Sequence, residues 1–232
     1  MSAAEIWVVD LALSPGQLER CASVLNAQER DRAARFMRAA DRVRFQASHA
    51  ALRLILGDAL GLAPGEIRME AGGAGKPRLT GPVQGAFDFN LSHSGERAVV
   101  GLARGVAIGV DVEAIRPIPD ALRIARGHFA ADEAAALAVH APETVEAAFF
   151  GLWTRKEAVV KALGTGLSMP LDRFSVSVPP ARPRLLRMAQ AGDWTLAEID
   201  CGLGYAATAA LRDAAFEIAV RHPVGDWTTR LR

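Results

Sequence analysis

Two short stretches hold residues whose types and spacing could do chemistry together. In Gly109-Val110-Asp111-Val112-Glu113, two carboxylates stand two residues apart in a β-branched run. On a strand both would point to one face. In the stretch from Trp153 to Lys161, Trp153, Glu157 and Lys161 fall at i, i+4 and i+8, along one stripe of a helix. Asp111, Glu113 and Glu157 are hard oxygen donors of the kind Mg²⁺ takes, alongside water and substrate phosphates. Zinc would call for His or Cys instead. Lys161, one turn beyond Glu157, would lie beside the same phosphates. The chemistry to expect is transfer involving a pyrophosphate, with cation and lysine offsetting its charge. Each stretch also has a plainer reading: an i,i+4 ion pair stabilising by about 0.3–0.5 kcal/mol, and an edge strand with a polar face.

Lysine usage bears on the choice. Of the 27 basic residues only Lys76, Lys156 and Lys161 are not Arg. Where a chain so rich in Arg keeps Lys, a compact, rotatable point charge is what the position calls for. Residues 30–53 carry seven Arg against Asp31 and Asp41, which reads as a solvated face or an anion-binding patch. Residues 71–77, Ala-Gly-Gly-Ala-Gly-Lys-Pro, fail as a phosphate loop, because Glu70 stands where its first Gly belongs and Pro77 where its Ser or Thr belongs. A Gly-rich loop presenting Lys76 remains. His93, between Ser92 and Ser94 at a strand end, is an incidental loop residue or a donor to phosphate.

Composition bounds the rest. At 232 residues the chain fits one large domain or two small ones. No apolar run reaches the length of a membrane span, and Met1–Leu11 lacks the basic start of a signal peptide. A cytoplasmic protein with no membrane partner is expected. Cys21 and Cys201 are far apart and in no metal-ligand spacing, so two free thiols are expected. A net charge of +1 argues against a nucleic-acid binder.

The elements that would position these residues repeat. Strands are predicted at 6–13, 87–91, 98–103, 106–113, 174–178, 194–199 and 205–211. Helices are predicted from Ser14-Pro15 to about Leu25, over 41–60, and two or three over 120–163, the last stopped by Gly164 and Gly166. Residues 92–97 read as the connection of a β-hairpin, and 220–232 as a loose tail. Ile6-Trp7-Val8-Val9-Asp10 and its following helix, Gly61-Leu62 and hairpin come back about a hundred residues later in the same order. That suggests a duplicated α+β unit, with halves 1–105 and 106–232 related by a pseudo-two-fold and a site between them. The first half brings the Arg cluster, Lys76 and His93; the second brings the carboxylates and Lys161. With both faces in one chain, a monomer is expected.

Gly109–Glu113 and the Trp153–Leu167 pattern resemble the two signature motifs of the 4′-phosphopantetheinyl transferases. Gly75-Lys76-Pro77, Phe89-Asn90-Leu91-Ser92-His93-Ser94 and Arg35-Phe36 resemble the supporting blocks of the large, duplicated, Sfp-type members. The resemblance covers roughly residues 30–178. It implies transfer of phosphopantetheine from coenzyme A to a serine of an apo acyl or peptidyl carrier protein, with release of 3′,5′-ADP. By resemblance, Asp111, Glu113 and Glu157 would hold Mg²⁺, Glu157 would also help deprotonate the serine, and Lys161 would neutralise or protonate the departing phosphate. Ser92 and His93 would contact the coenzyme A phosphates, Lys76 would lie near the nucleotide, and Arg44 and Arg32 would hold the 3′-phosphate. Glu29 and Phe45 depart from the family pattern, which often has Lys or Ser/Thr there.

Overall fold

Caps and glycines set the helix ends. The computed structural model describes residues 3–72, 75–189, 192–212 and 217–231. Strand β1 (Ala3–Asp10) leads to α1 (Pro15–Ser23), where Ser14 N–H donates to Gln17 Oε1 at 2.7 Å and Pro15 pre-sets the first turn. α2 (Ala27–Ala34) starts from a reciprocal cap: Asn26 Oδ1 accepts Glu29 N–H at 2.8 Å, and Glu29 Oε2 accepts Asn26 N–H at 2.9 Å. α3 (Ala39–Leu60) ends at Gly61, whose φ of 69° is left-handed. After β2 (Met69–Ala71) and β3 (Pro77–Leu79) come β4 (Asp88–Ser94) and β5 (Arg97–Ala103). The second half holds β6 (Ile108–Ala114), α4 (Ala121–His128), α5 (Ala131–Ala138), α6 (Pro142–Leu163), β7 (Ser175–Val176), β8 (Leu185–Arg187), β9 (Thr195–Glu198), β10 (Tyr205–Leu211) and β11 (Glu217–Arg221). α6 stops at Gly164, φ 65°, as the sequence predicts. The class is α+β.

Strand alternation sorts these elements into four layers. One sheet runs β11-β1-β5-β4 and another β6-β10-β9. On β1 and β5, Val9, Ala98, Val100 and Leu102, with Leu11 just past β1, join a core with α1 and α3. Their neighbours Ala4, Ile6, Val8, Val99 and Ala103 turn the other way, onto Ile108, Val110, Val112, Ala207, Ala209 and Leu211 of the second sheet. The opposite face of that sheet packs on α6, whose Phe149, Phe150, Leu152 and Val159 join α4 and α5. The order is thus α3, first sheet, second sheet, α6. Each fully buried Val, Leu, Ile or Phe contributes about 1.5–3 kcal/mol. The apolar layer between the sheets makes the halves mutually dependent.

Three expectations are corrected. The hairpin connection is not residues 92–97: β4 continues through Ser94, and the chain reverses at Gly95, φ 57°. The tail is not loose. β11 pairs parallel with β1, from Ala3 opposite Glu217 to Trp7 opposite Arg221. Trp227 and Leu231 are buried in the α1/α3 core, and Arg20 binds Thr228 and Asp226 at 2.8 Å. The last described segment therefore belongs in space to the first sheet, although in sequence it closes the second half. Finally, α2, β3 and β8 form where no separate element is predicted. Their apolar patterns are too short to show a period, and the cap at Asn26 is the one local signal.

Candidate active site

A glycine sets the distance between the two signature stretches. A Cβ on Gly109 would lie 2.0 Å from Ala158 O and 2.3 Å from Ala162 N, so β6 rests directly on the α6 backbone here. On the same face of β6, two and four residues on, stand Asp111 and Glu113. The close approach brings Lys161 Nζ to 2.6 Å from Asp111 Oδ1 and 3.0 Å from Ser92 Oγ. Glu157, one turn back, is half-buried. Burial raises its carboxyl above the usual range, and the Asp111 and Glu113 charges add to this while Lys161 opposes it. Trp153 differs from its stripe-mates: it packs among the Phe129 and Phe149 rings, each 5.9 Å away.

The halves meet along a seam between β4 and β6. Asp88 Oδ2 accepts Ile108 N–H at 2.7 Å and Asn90 Oδ1 accepts Val110 N–H at 2.9 Å. Ser92 Oγ accepts Val112 N–H at 3.4 Å and Ser94 Oγ accepts Ala114 N–H at 3.1 Å. Every second side chain of β4 thereby serves a backbone donor on the edge of β6, which would otherwise go unpaired. Asn90 and Ser94 carry no predicted role. Their signal was the alternation Asp-x-Asn-x-Ser-x-Ser, hidden while residues 92–97 were read as a connection.

The odd residues of β4 face α3 instead. His93 borders a cavity of about 510 Å³ also lined by Arg32, Phe36, Phe45, His49 and Met69. Burial pushes the His93 ring below its usual 6.5, and Lys161, Arg44 and Arg32 push the same way. The positive charges outweigh the opposing Asp41 carboxylate at the ring, a field suited to an anion. His49 stacks on Phe45 with centroids 3.8 Å apart, and burial takes it down to about 3. Arg32 lies over the Phe45 ring at 5.3 Å, and Arg44 pairs with Asp41 at 3.2 Å.

The remaining lysines point elsewhere. Lys76 Nζ lies 2.6 Å from Asp88 Oδ2 and 2.9 Å from Ile108 O, so its ammonium sits in the seam, while its neighbours Gly75 and Pro77 border the cavity. Gly73 and Ala74 of the predicted loop lie outside the described residues. Lys156 is wholly buried. It bonds both Glu133 oxygens, at 2.7 and 2.6 Å, and Phe174 O at 2.8 Å, tying α5 and β7 to the middle of α6.

Whether the site suits a divalent cation turns on its donors. Asp111 Oδ2 is buried and accepts no hydrogen bond, an arrangement that costs about 1–3 kcal/mol unless something binds there. With Glu113 on the same strand face and Glu157 on the helix packed against it, the donor types present are the hard oxygens that a cation such as Mg²⁺ takes. Among the described residues, no trio of His, Cys, Asp or Glu is arranged to hold a metal ion by itself. Remaining ligands would have to be water and substrate phosphate, which is the usual Mg²⁺ pattern.

Comparison with known proteins meets this geometry. Residues 107–210 match the profile described as "4'-phosphopantetheinyl transferase superfamily", and residues 13–104 the one described as "4'-phosphopantetheinyl transferase, N-terminal". The chain is 34% identical over 195 residues to 4′-phosphopantetheinyl transferase HetI of Nostoc sp., covering 84% of this chain and 81% of that protein. It is 33% identical over 168 residues to 4′-phosphopantetheinyl transferase Sfp of Bacillus subtilis, covering 72% and 73%. A looser match, at 19% identity and a TM-score of 0.38, is to the crystal structure of Thermotoga maritima holo-[acyl-carrier-protein] synthase, over 47% of this chain and 64% of that one. The chain belongs to the 4′-phosphopantetheinyl transferase superfamily and is a transferase. Among the described residues no helix is long and apolar enough to cross a membrane.

Proposed function

We propose that this chain transfers the 4′-phosphopantetheine group of coenzyme A to a serine of an apo acyl or peptidyl carrier protein. The serine oxygen attacks the β-phosphorus, the bond to the α-phosphate oxygen breaks, and 3′,5′-ADP leaves. The observation that carries this reading is the contact at Gly109, beside which Lys161 of one half meets Asp111, a carboxylate that the other half's β4 grips through Ser92. Asp111, Glu113 and Glu157 would hold Mg²⁺, which when bound offsets pyrophosphate charge. Glu157, its carboxyl already biased toward holding a proton, takes the serine proton directly or through water. Lys161 moves its charge from Asp111 to the departing phosphate. His93, Arg32 and Arg44 hold the nucleotide phosphates, and the stacked Phe45–His49 pair floors the cavity for a planar base. Ser92 borders the phosphates while bonded to Asp111. Lys76 acts from the seam, near the nucleotide.

The halves 1–105 and 106–232, apart from the closing segment that completes the first sheet, are proposed as copies related by a pseudo-two-fold, acting as a cytoplasmic monomer. The test is intact-protein mass spectrometry of several apo carrier proteins incubated with coenzyme A and Mg²⁺. A mass gain of one phosphopantetheine is expected, lost by orders of magnitude in Asp111→Ala. No gain on any carrier, or full turnover by that variant, overturns the reading.

A further inference from the structure

The four rungs between β4 and β6 make one common demand: an oxygen that accepts a β6 N–H. Asp88 and Asn90 meet it without a hydroxyl. The two rungs nearest the carboxylates are both serine. A serine oxygen that accepts still has a proton to give, and here each proton goes to a carboxylate of the other half. Ser92 Oγ donates to Asp111 Oδ1 at 2.8 Å, and Ser94 Oγ donates to Glu113 Oε2 at 2.9 Å. Arg116 Nη1 holds the same Glu113 oxygen at 3.2 Å. In both pairs one oxygen is tied and the other is spare. Asp111 Oδ2 has no donor, and no hydrogen bond to Glu113 Oε1 is present among the described residues.

We infer that Ser94 is a positioning residue for the metal site: anchored by Ala114 N–H, it fixes the Glu113 carboxylate so that its free oxygen faces the cation, as Ser92 does for Asp111. The first half would then aim ligands that the second half supplies, and the site would be assembled only when the seam is closed. This rests on the Mg²⁺ reading above. Groups that orient a ligand from outside typically change metal affinity by about 10–100-fold when removed.

The test is an electron paramagnetic resonance titration of Mn²⁺ into the protein saturated with coenzyme A. Coenzyme A affinity is measured separately in chelator by calorimetry. Ser94→Ala is expected to weaken Mn²⁺ binding by about tenfold and to leave coenzyme A affinity in chelator unchanged. Ser94→Thr, which keeps the hydroxyl, should restore Mn²⁺ binding. Ser94→Val, which has the shape of Thr without the hydroxyl, should not, and it decides the matter if the Ala variant folds poorly. Asn90→Ala removes a rung that touches no carboxylate, so it should lower the melting temperature without changing Mn²⁺ affinity. Wild-type Mn²⁺ affinity in Ser94→Ala or Ser94→Val, or an equal loss in Asn90→Ala, overturns the positioning role alone. Failure of the wild-type protein to bind Mn²⁺ overturns the metal reading and this role with it.

Discussion

Glu157 shows what the site asks of a single residue. Its carboxyl is raised above the usual 4.5 by burial and by Asp111 and Glu113, so the fold disfavours its ionised form. The sign follows: as pH rises from 4.5 toward the folded value, the unfolded chain gives up its proton first and stability declines, then levels off. Glu157→Gln is therefore expected to raise the melting temperature in metal-free buffer at neutral pH, with the gain vanishing below about pH 4. The same variant should lose transfer activity by orders of magnitude. An unchanged melting temperature, or a gain that persists in acid, would contradict this account of the shift. Lys161 stands in the reverse position. At 2.6 Å from Asp111, it supplies the charge that Asp111 Oδ1 needs. Lys161→Met should lower transfer by orders of magnitude while the chain stays folded, checked by rate and by circular dichroism.

The contact between β6 and α6 is where residue chemistry becomes geometry, and it hangs on Gly109. Gly109→Ala would put a methyl carbon 2.0 Å from Ala158 O and 2.3 Å from Ala162 N. Both are backbone atoms in the last turns of α6, so no side chain can swing aside. A loss at or above the roughly 1–3 kcal/mol of ordinary overpacking, read by denaturant unfolding, is expected together with lost activity. Wild-type stability would mean that β6 and α6 are not pressed together as described. At this scale the sequence was legible where periods are long and caps are chemical. Ser14-Pro15, Gly61 and Gly164 marked helix ends because their conformational preferences are local. The Asp-x-Glu pair and the Glu157–Lys161 spacing marked the site because strand and helix periods fix which side chains share a face. Ser94 was missed for the converse reason: a hydroxyl beside a glycine looks like turn chemistry, and only the partner strand shows that it serves a sheet. Lys76 was expected near a nucleotide, and nothing local indicated that Asp88 on β4 and, across the seam, Ile108 O would receive its ammonium.

For the molecule as a whole, the unexpected feature is that the last described residues complete the first sheet. They had no periodic signal, because five strand residues and one short turn are too few to show one. Trp227 nevertheless sits in the α1/α3 core and donates to Asp10 O at 3.3 Å. Trp227→Ala should cost about 3–5 kcal/mol, and should do so in a single cooperative transition, since the first-half core, the layer between the sheets and the α6 core adjoin one another. Calorimetry showing two separate transitions, or a loss below about 1 kcal/mol, would mean the tail is only appended.

The pairing of β11 with β1 also has a consequence for how the protein is made. Strands β1, β4 and β5 leave the ribosome before β11, and until residues 217–221 follow, β1 has a bare edge of the kind that pairs with other chains. More than a hundred residues separate β5 from β11, so at ~5–20 residues per second the exposure lasts on the order of ten seconds per chain. A strand made more than a hundred residues later shields β1, and a slow or stalled translation of the second half lengthens the interval in which nascent chains on one message can pair with each other.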